Sequence, residues 1–217
     1  RTRVREHGSL LWVDQTAAYF SSRLSNELIE TLATAKRLRE RLGRGLVIAD
    51  PYAGVGPSMG VLIPEPGLIT GYFVGDLNPH ATELLSLNME YFSSRRKGES
   101  GTPPEQLQPA EIHCKDALEW ADDGSTLNQC DLILVNLPHH SIGHLNALLP
   151  LLKRDQTSVV RGWAIVERSQ IEASEQDIIH TISSADGEVE HFSFSEVKGF
   201  SSTKSYMCFE AWINLSS

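Results

Sequence analysis

Short apolar runs that stop at an acid or an amide, separated by stretches of helical spacing, most constrain what this chain can fold into. Leu46-Val47-Ile48-Ala49 ends at Asp50 and runs straight into a glycine turn. Ile69 to Val74 precedes Asp76, Glu111 to Cys114 leads into Asp116, and Asp131 to Val135 stops at Asn136-Leu137-Pro138. Val159 to Val166 is a fifth such run. Apolar runs of this length bounded by turn residues read as buried strands. Between them the spacing predicts helices. From Ser25, a plausible N-cap, Leu28, Ile29, Leu32, Ala35 and Leu38 recur every three or four residues until Gly43 closes the pattern. Further helices are predicted over Pro79–Tyr91, through Leu145, Leu148, Leu149 and Leu152, and over Glu172–Ser183. Gly98 to Pro109 reads as a surface loop.

Strands alternating with helices imply an α/β fold with a mostly parallel sheet covered on both faces. The last two predicted strands, Glu188–Phe194 and Tyr206–Ile213, have no helix between them, so they should close a seven-stranded sheet as an antiparallel hairpin at one edge. Residues 1–24, with extended signals at Ser9–Val13 and around Tyr19–Arg23, read as an extension leading into a core over residues 25–217. No internal repeat is visible. A sheet of this kind binds its ligand at the carboxyl ends of its strands. Asp50, Asp76, Asp116 and Asn136 all fall there.

The 217 residues suffice to bury a core without disulfides or a structural metal. Hydrophobic residues make up 41% and charged residues 22%, which excludes a disordered or fibrous chain. No apolar run approaches a bilayer span, and the start, Arg1-Thr2-Arg3-Val4-Arg5, lacks a signal-peptide core. The three cysteines, Cys114, Cys130 and Cys208, are widely separated, as expected for reduced thiols of a cytoplasmic protein. The absence of an initial Met suggests a piece of a longer protein. A net charge of −9 works against nucleic-acid binding by the chain as a whole. Local cations remain at Lys36 to Arg44 and at Arg95-Arg96-Lys97. Both clusters also suit solvated helix ends, where cations are favoured.

The turn Asp50-Pro51-Tyr52-Ala53-Gly54-Val55-Gly56-Pro57 carries Gly-x-Gly, but the next glycine, Gly60, comes one position late for the dinucleotide fingerprint. A nicotinamide cofactor is therefore disfavoured. Asp76 lies twenty residues beyond Gly56, where a carboxylate could accept hydrogen bonds from both hydroxyls of a ribose. Asp116 could reach an adenine amino group. Each Asp could instead cap the following helix, but three at successive strand ends favour an adenosyl ligand. His140 and His144 lie four apart on one predicted helix, yet no helical acid or Cys completes a metal set. No metal site is expected.

Three segments together resemble the Met-10-like family: the Asp50–Pro57 turn, Gly75-Asp76-Leu77-Asn78-Pro79-His80-Ala81 followed by Leu84-Leu85 and Asn88, and Asn136-Leu137-Pro138. The stretch Tyr19-Phe20-Ser21-Ser22-Arg23-Leu24-Ser25-Asn26-Glu27 is similar to that family's signature before the first core helix. The family contains archaeal and eukaryotic tRNA methyltransferases that form N1-methylguanosine at tRNA position 37. The resemblance implies a class I, Rossmann-like methyltransferase fold and S-adenosylmethionine as cofactor. It assigns Tyr19, Asp50, Ala53, Gly54, Gly56, Asp76, Leu77, Asp116 and Asn136 to that cofactor. It makes Glu27 the general base and Arg23 its electrostatic partner, with Asn136 and Pro138 forming the floor under the target guanine. Those residue types suit the chemistry. Guanine N1 is a poor nucleophile until its proton leaves, which a carboxylate can accept. An arginine near O6 would stabilise the charge that builds there.

The implied substrate is the anticodon loop of tRNA, and the implied state is a monomer that draws on further N-terminal sequence for its grip on RNA. Two other functions fit parts of the pattern. One is transfer of the aminocarboxypropyl group of the same cofactor, as in wybutosine-type modification; the other is a non-catalytic partner subunit that retains the cofactor pocket.

Overall fold

The computed structural model describes residues 1–14, 16, 25–98 and 102–216. They divide into two compact units, Arg1–Ala117 and Leu118–Ser217.

The first unit opens with an antiparallel ribbon, β1 (Thr2–Glu6) and β2 (Ser9–Val13), in which Thr2 faces Val13 and Glu6 faces Ser9. Alternation along β2 buries Ser9, Leu11 and Val13 and leaves Leu10 and Trp12 half-buried on the other face. Helix α1 (Ser25–Leu42) begins at the predicted serine and ends where Gly43 takes a left-handed φ of 66°. Its basic residues Arg39 and Arg41 sit in the last turn, complementing the helix dipole. The next strand, β3 (Leu46–Asp50), is buried along its whole length. After it come a short helix α2 (Pro57–Leu62), strand β4 (Ile69–Gly75), helix α3 (Pro79–Ser94) and strand β5 (Ala110–His113). Both β3–β4 and β4–β5 pair in parallel. Leu84, Leu85, Met89 and Phe92 form the buried face of α3.

The second unit contains β6 (Leu132–Val135), α4 (Ser141–Leu148), β7 (Thr157–Glu167), α5 (Ile171–Ser184), β8 (Gly187–Gly199) and β9 (Lys204–Leu215). The β6–β7 pair is parallel, whereas β9 pairs antiparallel with both β7 and β8. The seven strands follow the order β5-β4-β3-β6-β7-β9-β8. This is the expected mostly parallel sheet with a terminal antiparallel hairpin. Strand β8 stands at the edge and carries Glu188, Glu190, Glu196 and Lys198, charges that discourage pairing with another chain. Inside, Arg161 of β7 faces Glu210 of β9 in a buried ion pair of 2.7 Å, and the indole N–H of Trp212 donates to the same carboxylate.

Three elements escape the sequence pattern. Strand β1 has three exposed residues among its five, so it lacks a clean apolar alternation. Helix α2 is six residues long and almost wholly buried, which leaves no polar face to betray its period. A 3-10 turn at Ala117–Asp123 is pinned by Trp120, which is fully buried. The three cysteines are free thiols. Among the described residues, no helix is long and apolar enough to cross a membrane.

Candidate nucleoside-binding site

The first unit gathers three of the four polar strand ends. Asp50 is the last residue of β3, Asp76 follows β4 directly, and Asp116 lies three residues beyond β5. Asp76 is not the cap of α3. That role falls to Asn78, whose side chain accepts from the His80 N–H. Instead one oxygen of the Asp76 carboxylate accepts from the Gly54 N–H at 3.1 Å and the other from the Asn78 N–H at 2.8 Å. Asp76 thus ties the glycine turn after β3 to the turn after β4. Each oxygen keeps a further lone pair for a ligand hydroxyl. Two backbone bonds brace the arrangement, from Ala53 N–H to the Gly75 carbonyl and from Asp76 N–H to the His113 carbonyl.

Asp50 is 2% exposed, and its Oδ1 has no hydrogen-bond partner. Burial pushes its carboxyl up to about 7; the Tyr52 N–H opposes that shift and the negative charge of Asp76 adds to it. An orphaned, buried carboxylate oxygen beside a glycine turn fits a cationic group such as an ammonium. Tyr52 has its phenol pushed up by burial and by the charge of Asp116, so it stays a neutral donor. These couplings bring Asp50 together with Asp76, and Tyr52 together with Asp116. Leu77, next to Asp76, is 68% exposed, an apolar surface beside the carboxylate suited to one face of a planar base.

The glycines answer to conformation and packing as well as to any ligand. Gly54 and Gly56 both have positive φ, 56° and 86°. A Cβ at Gly56 would come within 2.7 Å of Leu85 Cδ1. Asn88 of α3 is a site residue without a role in the sequence reading. It is fully buried, its amide oxygen accepts from the Trp12 N–H at 2.7 Å, and its NH2 donates to the Trp12 and Val55 carbonyls. One side chain therefore joins the ribbon, α3 and the glycine turn. Tyr52 was missed too, although its place inside the turn marked it.

Glu27 lies half-buried in the first turn of α1. Tyr19 and Arg23 fall outside the described residues. Asn136 and Pro138 belong to the second unit, directly after β6. There the Ser141 hydroxyl donates to the Val135 carbonyl and accepts from the Leu137 N–H, while the Pro138 carbonyl accepts from the Ile165 N–H. These bonds fix the Asn-Leu-Pro turn from both sides. The rings of His140 and His144 stack at 5.9 Å, and His139 meets Phe200 edge-on at 6.1 Å. Among the described residues, no group of three metal-ligating side chains comes together.

No family model matches the chain. A curated relative, tRNA (guanine(37)-N(1))-methyltransferase Trm5b of Methanocaldococcus jannaschii, is 35% identical over 86 residues, 40% of this chain. The match spans only 22% of that relative's length. Among solved structures, wild-type Trm5b from Pyrococcus abyssi superposes with a TM-score of 0.74 at 19% identity, over 99% of this chain and 56% of that one. The TYW2 of M. jannaschii, solved in complex with AdoMet, gives 0.73 at 15% identity, over 99% and 86% of the two chains. At such identities the likeness shows a shared fold and carries no role by itself.

Proposed function

We propose that this chain is the catalytic part of an S-adenosylmethionine-dependent tRNA methyltransferase that forms N1-methylguanosine at position 37. The observation that carries the reading is the set of carboxylates at the ends of β3, β4 and β5, arranged around a glycine turn that Asp76 holds by its Gly54 N–H. The 35% identity to a guanine-37 methyltransferase supports the choice of substrate.

In this reading Asp76 accepts from the ribose hydroxyls, Asp116 faces the adenine amino group, and Leu77 covers the base. The orphaned oxygen of Asp50 takes the ammonium of the methionine part. The cofactor supplies an electrophilic methyl group on a sulfonium. The chain's own residues do the rest. Glu27 accepts the N1 proton of guanine and Arg23 stabilises the charge developing at O6, so that N1 becomes nucleophilic only in the bound base. Asn136 and Pro138, on a turn braced at both ends, support the guanine in line with the methyl group, and that positioning replaces much of the entropic barrier. The family resemblance gives Tyr19 to the cofactor as well.

A second reading, aminocarboxypropyl transfer, is favoured by the fold match that covers 86% of a TYW2 chain. One experiment separates the two. The protein is incubated with S-adenosylmethionine and unmodified tRNA transcripts bearing G37, and the digested nucleosides are identified by mass. N1-methylguanosine that vanishes when G37 is replaced is the expected result. An aminocarboxypropyl adduct would establish the second reading, and no modified nucleoside would overturn both.

A further inference from the structure

The ribbon and the end of α3 form a surface that the proposed chemistry does not use. Along β1, Arg3 and Arg5 are exposed on one face while Glu6 is buried on the other. The register sets Arg3 opposite Trp12 and Arg5 opposite Leu10. The Arg3 guanidinium lies 4.1 Å from the centre of the Trp12 ring. From α3, Tyr91 lines the same shallow cavity as Arg3, Leu10 and Trp12. Arg95 then stands over Tyr91 at 5.8 Å, with Lys97 exposed beyond it. Arg3 and Arg95, far apart in the sequence, thus stand over two aromatic rings that line one cavity, in a chain whose net charge is −9.

We infer that this face binds single-stranded RNA, with Arg3, Arg5, Arg95 and Lys97 on phosphates and an unstacked base seated at Trp12 and Tyr91. The inference rests on the tRNA reading above and adds where the RNA is gripped. Charge complementarity and ring faces interleaved with guanidinium groups are what single-stranded nucleic acid requires. Successive outward residues of β1 stand about 6.8 Å apart, close to the spacing of phosphates along an extended strand. An acidic peptide would use the cations and leave the rings idle. A lipid surface would need exposed apolar side chains free to insert, whereas Trp12 and Tyr91 are half-buried and flanked by guanidinium groups. The face is rigidly mounted, because Asn88 bonds both backbone groups of Trp12.

The test measures binding of a fluorescent oligouridylate and of an anticodon stem-loop by anisotropy, without cofactor, across a salt series. Arg3→Ala, Arg5→Ala and Arg95→Ala together should weaken both probes at least tenfold at low salt. They should also lower the slope of log affinity against log salt by about 2, the value for three single-strand phosphate contacts. Tyr91→Leu, which keeps bulk on the helix, should cost about fivefold or more on oligouridylate with the salt slope unchanged. A control triple on α1, Arg37→Ala, Arg39→Ala and Arg41→Ala, removes the same charge and should change affinity less than twofold. Equal losses in both triples, an unchanged affinity in the ribbon triple, or preferential binding to anionic vesicles or polyglutamate would each overturn the inference. Because no turnover is measured, failure of the methyl-transfer reading leaves this result interpretable.

Discussion

Replacing Asp50 by Asn should change how stability depends on pH, because the native fold holds this carboxyl at about 7. In the unfolded chain an aspartate titrates near 3.9. The folded-state value is raised, so the native state binds the proton more tightly. Stability from this group is full below about pH 4 and declines as pH rises towards 7. The difference corresponds to about 4 kcal/mol lost between pH 4 and pH 8. The causes are those already seen: burial at 2% exposure, an oxygen with no hydrogen-bond partner and the charge of Asp76, set against one backbone N–H from Tyr52. The Asn side chain carries no charge at any of these pH values. Urea unfolding of wild type and Asp50→Asn at several pH values isolates the group, since all other titrations are shared. The variant should gain on wild type by several kcal/mol from pH 4 to pH 8, worth about 2–4 °C of melting temperature for each kcal/mol at this chain length. Parallel stability profiles would mean instead that Asp50 ionises in the fold as it does in water.

Other substitutions probe other parts. Asn88→Ala removes three hydrogen bonds inside a fully buried joint and strands the Trp12 N–H and two carbonyls, so it should cost about 3–5 kcal/mol in chemical denaturation and weaken cofactor binding through the Val55 turn. Glu210→Ala leaves the Arg161 guanidinium buried without its carboxylate and should destabilise by about 3–5 kcal/mol, whereas hydrophobic replacement of both partners should cost much less. Glu27→Gln should lower turnover on G37 transcripts by about a hundredfold or more while cofactor affinity, read by calorimetry, stays within twofold. Equal loss of both would make Glu27 structural.

Much of the fold was legible because its signals are local. Leu46–Asp50 and Leu132–Val135 are short apolar runs flanked by turn residues, and each forms a strand buried along its whole length. Gly43 ends α1 through a backbone conformation that glycine adopts readily. What stayed hidden depends on contacts between distant segments. The role of Asn88 arises only when the ribbon, 76 residues earlier, and Val55, 33 residues earlier, both reach it. The pairing of Asp76 with Gly54 likewise spans 22 residues and displaces the helix-capping role that a strand-end Asp suggests locally. Nothing local marks Arg3 and Arg5, and only the register with Trp12 and Leu10 turns them into one face.

Cofactor binding at these carboxylates is read out by calorimetric titration of the protein with S-adenosylmethionine at pH 6.5 in buffers of different ionisation enthalpy. With Asp50 near 7, most of that carboxyl is protonated before binding, and an ammonium seated on it drives the proton off. The expected result is saturable binding with net proton release at that pH, abolition of binding in Asp76→Ala and loss of the proton release in Asp50→Asn. A folded protein that gives no binding, or one that binds equally well without the Asp76 carboxylate, would contradict it.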